Sequence, residues 1–117
     1  MNEEQLKKRT KEFAKNIILL CRNLPNNREG RLIGDQLFRS GTSVAANYRA
    51  ACRGRSKAEF VSKLAIVEEE ADETMLWLEL IKEMSICKVP LVDDLLRESD
   101  EIVAIIVASI RTTKKNR

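Results

Sequence analysis

Between about Lys57 and Met84 an apolar or small side chain recurs at alternating intervals of four and three: Phe60, Leu64, Val67, Ala71, Thr74, Leu78, Ile81. That interval draws one stripe along an α-helix and does not match the two-residue period of a strand. Neither glycine nor proline breaks the run, so it predicts one helix of about 28 residues, roughly 42 Å long. Such a helix cannot cover its own stripe, and the rest of the chain must supply the other half of a core.

The rest of the chain has the same period. A first helix is expected over about 3–24, with Leu6, Phe13, Ile17, Leu20 and Leu24 on its stripe and Glu3 and Glu4 favouring its start. Pro25, Asn26 and Asn27 end it in a turn. A second is expected over about 31–53, along a seam of Ile33, Leu37, Ser40, Val44, Asn47 and Ala51. Gly34 and Gly41 each cost this helix roughly 1 kcal/mol against alanine, so packing must hold it. Asn47 on the seam needs a partner, because an unpaired buried amide costs about 1–3 kcal/mol. Gly54 suits a left-handed position after the helix. Ser56-Lys57-Ala58-Glu59 reads as a capping box that opens the third helix, over 57–84, with Phe60 following at once.

A fourth helix is expected over about 91–112. Asp93 and Asp94 lie in its first turn, and Leu95, Ile102, Ile105, Ile106, Ser109 and Ile110 form its apolar face. The ending after it reads as a frayed polar tail. Two prolines and four glycines leave little material for hairpins or long loops. The fold expected is therefore all-α: one domain, 1–117, folded as an antiparallel up-down-up-down four-helix bundle.

The chain has no histidine. That removes imidazole acid-base chemistry, His-based triads and dyads, and the Glu-x-x-His units of di-iron bundles. Glu69 and Glu73 are four apart, as are Glu68 and Asp72, so each pair shares a helix face and suits a hard cation. Only Glu12 and Asp35 stand on the first two helices to meet them, and the expected state is a solvated or salt-bridged surface without metal. Gly30-Arg31-Leu32-Ile33-Gly34-Asp35 matches no phosphate-binding glycine pattern. Cys21, Cys52 and Cys87 have no ligand spacing and read as small hydrophobes in a reducing compartment. The start lacks the apolar core of a secretory signal, and the longest apolar run, Ile102 to Ala108, is far short of a membrane span. No enzymatic activity, no cofactor, no membrane and a cytoplasmic location are the expectations.

Charge is unevenly spread. The formal net charge is +3, yet residues 25–57 carry seven basic and two acidic groups and residues 58–85 two basic and eight acidic. Arg31, Arg39, Arg49, Arg53, Arg55 and Lys57 lie within the basic segment. They form a candidate nucleic-acid surface, whose phosphate contacts would be salt-dependent and indifferent to sequence. Alternatively they pair with the acidic face of the third helix, within or between subunits. Ile66, Met75, Trp77 and Leu80 add apolar surface beside the third helix's stripe, which suits a subunit contact.

Two blocks carry a resemblance: Gln36-Leu37-Phe38-Arg39-Ser40-Gly41-Thr42-Ser43-Val44-Ala45-Ala46-Asn47 and Arg55-Ser56-Lys57-Ala58-Glu59-Phe60. From about residue 10 to 112 the chain resembles the bacterial four-helix bundle proteins encoded within intervening sequences of 23S ribosomal RNA genes. Related to them is the accessory variability determinant of diversity-generating retroelements. The resemblance implies a ring-shaped homopentamer. For the retroelement relatives it implies binding of nucleic acid and a reverse transcriptase through a basic surface. At the matching positions it implies packing, capping or subunit contact for Gln36, Ser40, Ser43, Asn47, Ser56, Glu59 and Phe60, with Arg39 and Arg55 as the exceptions. Many relatives follow the asparagine with Ile-Ala-Glu-Gly, where this chain has Tyr48-Arg49-Ala50-Ala51. A role resting on that glutamate does not carry over, and Arg49 makes the local surface more basic.

Overall fold

A computed structural model describes residues 1–116. Among them the chain forms α1 (Glu3–Cys21), α2 (Arg28–Cys52), α3 (Lys57–Glu83) and α4 (Leu91–Lys115). Three of the four starts are fixed by side chains that accept hydrogen bonds from otherwise orphaned backbone N–H groups. Asn2 caps α1 in a full capping box with Gln5, Asn27 caps α2 through the Gly30 N–H, and Ser56 caps α3 through the Glu59 N–H. Glu59 departs from the expected box. Its carboxylate accepts from the N–H of Arg55, at 2.7 Å, one residue before the cap. α4 starts after Pro90 without a side-chain cap.

Each helix packs on the next in sequence, and α1 also touches α4, more sparsely. Gly41 lies against Ile17 and Gly34 against Leu24, so α2 runs back along α1. Ser40 meets Thr74, and the end of α3 meets the start of α4 through Lys82 and Asp93, 2.8 Å apart. Every successive pair is thus antiparallel, in a body of 49 × 20 × 20 Å. The core takes side chains from all four helices, among them Phe13, Ile17, Leu37, Val44, Leu64, Leu78, Ile102 and Ile106. Four buried polar side chains, Thr10, Ser40, Thr74 and Ser99, are each hydrogen-bonded.

Several expectations need correction. α1 stops at Cys21, and Asn23 and Leu24 instead close a turn onto Leu20 and Cys21. α2 begins at Arg28, earlier than expected, because Asn27 supplies the cap. α4 continues to Lys115, so the polar ending up to there is helix; Arg117 lies outside the described residues. The buried line of α2 runs through Gly30, Gly41 and Tyr48, while Ile33 and Asn47 sit at its edge. Asn47 is half-buried and donates to the Ser43 carbonyl at 3.0 Å, which satisfies its amide without a second helix. Gly54 does not adopt a left-handed backbone. Among the described residues the one non-glycine with positive φ is Ser85, at 52°. There the Ile86 N–H bonds back to the Ile81 carbonyl and the Ser85 N–H to that of Lys82, which is a Schellman ending of α3.

Candidate nucleic-acid interface

The six basic residues singled out in the sequence do not form one patch. Arg31 lies near the start of α2, where its guanidinium donates to Asn26 at 3.2 Å. Arg39, halfway along α2, is consumed by α3: Nη1 lies 2.8 Å from Glu70 Oε2, and Nη2 reaches Glu73. The Trp77 indole N–H also donates to Glu73, at 3.0 Å. Together they hold the Glu73 carboxyl below the usual carboxylate range, the indole contributing most and Arg39 next. For Arg39, pairing within the bundle is therefore what the structure displays.

Arg49, Arg53, Arg55 and Lys57 belong to the opposite end, where α2 stops and α3 begins. All four are exposed, and among the described residues none makes an ion pair. Antiparallel topology brings two further groups of cations to this end. Lys7 and Lys8 come from the opening turns of α1, and Arg111, Lys114 and Lys115 from the last turns of α4. The carbonyl ends of α2 and α4 favour cations here. Glu3, Glu4 and Glu59 are the local acids, and Glu59 is occupied as a cap. Cations from α1, α2, the α2–α3 junction and α4 are thus gathered at one end of the bundle.

Sequence reasoning missed the contribution of α1. Lys7 and Lys11 are four apart on one face of it, and they meet Arg49 across the α1–α2 groove. The spacing of the lysines was readable; their partner helix was not. Arg9 was missed as well. Its guanidinium binds both oxygens of Glu98, each at 2.7 Å, and lies 3.3 Å from Glu101, clamping α1 to α4.

The residues assigned to packing and capping divide. Ser40 is buried against Thr74, and Phe60 packs half-buried on the core. Ser43 offers its carbonyl to Asn47, and Ser56 and Glu59 cap as described. Gln36 is exposed, being turned about 100° around α2 from buried Leu37. Met75, Trp77 and Leu80 are half-buried, and Trp77 also packs on the core. The larger exposed apolar side chains include Leu19, Leu32, Leu76 and Met84. Leu19, Leu32 and Met84 lie towards the end remote from the cations, Leu76 lies near mid-bundle with exposed Phe38, and exposed Met1 lies at the cationic end.

The three cysteines are free and half-buried. Burial, and then the charge of Asp35, push the Cys21 thiol up to about 11. Burial, followed by the Cys52 sulfur, raises the Tyr48 phenol. Among the described residues no group of His, Cys, Asp or Glu is placed to hold a metal ion. No described helix is long and apolar enough to cross a membrane.

Four antiparallel helices, each packed on the next, define an all-α four-helix bundle. A solved structure, a protein with unknown function from the S23 ribosomal protein family of Bacteroides thetaiotaomicron, superposes with a TM-score of 0.86. It is 33% identical over 95% of this chain and 99% of its own. The family model described as 23S rRNA-intervening sequence protein matches residues 2–108. The chain belongs to that family. No match was found among curated proteins.

Proposed function

We propose that this chain is a non-catalytic, self-associating scaffold that binds the phosphate backbone of nucleic acid through its cationic end. One observation carries the reading. Arg49, Arg53, Arg55 and Lys57 have no carboxylate partner among the described residues, while Glu70 and Glu73 in the acidic middle of α3 are engaged by Arg39 and Trp77. The competing reading, a protein-only module whose basic and acidic faces neutralise each other, accounts for Arg39 alone within the protomer. Tyr48 is buried and Trp77 is tied to Glu73, so neither aromatic is free to stack on a base. Binding is therefore expected to be indifferent to sequence and governed by salt. The family's name makes RNA the first ligand to try. Free, half-buried thiols support a reducing compartment such as the cytoplasm.

The test is binding to a long RNA and a duplex DNA at salt from about 50 to 200 mM, over which a protein with several phosphate contacts loses roughly 10³-fold or more. Arg53→Glu with Arg55→Glu should abolish binding and leave the mass in solution unchanged. Absence of binding by the unaltered protein at about 50 mM salt would reject the proposal.

Self-association has its own support. Leu32 and Met84 are 56% and 67% exposed near one end, an apolar load that a lone protomer leaves in water. Light scattering is expected to give a multiple of 13.4 kDa, and a value of 13.4 kDa at tens of micromolar would reject it.

A further inference from the structure

We infer that Lys7, Lys11 and Arg49 form a seat for one phosphate group in the groove between α1 and α2. This deepens the reading above and rests on it for the source of the phosphate. The pocket holds about 120 Å³ and is lined by Lys7, Lys11, Ala45, Ala46 and Arg49. Three of these side chains are cations, two are methyl groups, and none is a carboxylate. The spacing explains the shape. Lys7 and Lys11 are one turn apart on α1, as are Ala45 and Arg49 on α2, so the small side chain leaves open the space beside the guanidinium.

Three like charges drawn around one concavity repel one another, and an anion between them removes that cost. Arg49 offers a planar fork for two phosphate oxygens, and the ammonium groups act as point charges around the third side. Among the described residues Arg49 and Lys11 have no ion pair. Lys7 has one, with Glu4 at 3.2 Å, a neighbour on its own helix that a phosphate would displace. The other cationic concavity at this end, beside Arg53 and Lys63, includes Glu59 in its lining and is the poorer seat for an anion. The α1–α2 seat thus fits a phosphomonoester or phosphodiester, supplied either by a polynucleotide backbone or by a free phosphate.

Two probes separate the sources: sodium pyrophosphate followed by amide NMR, and poly(U) RNA followed by anisotropy. The variants are Lys11→Gln and Ala46→Glu, both at exposed positions, the second placing a carboxylate in the mouth of the pocket. Pyrophosphate should give saturating shifts confined to the amides around residues 7, 11 and 45–49, lost in both variants. Poly(U) affinity should fall about tenfold in each, with a salt slope shallower by about 0.7, the value for one phosphate contact on a single strand. Shifts spread over the whole cationic end without saturation would overturn the seat, as would pyrophosphate shifts and poly(U) binding that are both unchanged in the two variants. Either result leaves the broader nucleic-acid reading intact. If the unaltered protein binds neither poly(U) nor a duplex DNA at about 50 mM salt yet pyrophosphate saturates at these residues, the seat stands for a free phosphate and the nucleic-acid reading falls.

Discussion

At the scale of single residues, two backbone positions decide more than their side chains suggest. Gly30 is buried, and a Cβ added there would stand 2.1 Å from the Pro25 carbonyl oxygen. Gly30→Ala must therefore push the α1–α2 turn away from the helix it begins. A loss of about 1–3 kcal/mol is expected in urea unfolding, despite alanine's better helix propensity. A variant as stable as the parent would refute this close approach. Ser85 presents the converse case, a residue with a Cβ held in the left-handed region at φ 52°. Ser85→Gly should stabilise the protein by about 0.5–1 kcal/mol, since only glycine occupies that region without steric cost. Neither point was legible in the sequence. Gly54 carried the usual signal for a left-handed ending, yet α2 closes with its cap residue Arg53 bonded to Ala50 and Ala51. Ser85 carried no such signal, because the Schellman bonds of α3 imposed its geometry.

At the scale of helices and their pairs, the sequence was most informative where one stripe meets one neighbour. Every position of the α3 stripe from Leu64 to Ile81 is buried, and Phe60 at its start is half-buried. α2 was read less well because it faces both α1 and α3. Its buried surface is wide, and a strict alternation of four and three chose Asn47 where Tyr48 lies inside. That arginines of α2 pair with the acidic face of α3 was legible, but the particular partners were not, since Arg39 to Glu73 and Arg9 to Glu98 depend on register rather than on spacing. The α2–α3 pairing sets a pH response. Glu73, held below the usual carboxylate range by Trp77 and Arg39, stabilises the fold above its unfolded value. That contribution is lost as pH falls through the depressed folded value. Glu73→Gln should lower stability near neutrality and flatten the fall towards acid, read from Trp77 fluorescence in urea at several pH values. An acid limb as steep as the parent's would show that Glu73 does not contribute to it.

At the scale of the molecule, the bundle has two unlike ends, one rich in unpaired cations and one carrying exposed Leu19, Leu32 and Met84. If the apolar end is where copies meet, Leu32→Ser with Met84→Ser should reduce the mass in solution towards that of one chain and leave the circular dichroism of the helices unchanged. Retention of the full assembly would move the contact elsewhere. The thinness of the α1–α4 contact has a mechanical consequence. The beginning of α1 and the end of α4 lie at the same end of the bundle, and Arg9 with Glu98 and Glu101, in the first half of α4, is a polar clasp between the two helices. A pull applied through those two helices would open this seam like a zip, one contact at a time, instead of shearing many in parallel. The protein should therefore yield at low force in an optical trap, at still lower force as Arg9→Ala, and through an intermediate in which α2 and α3 remain paired.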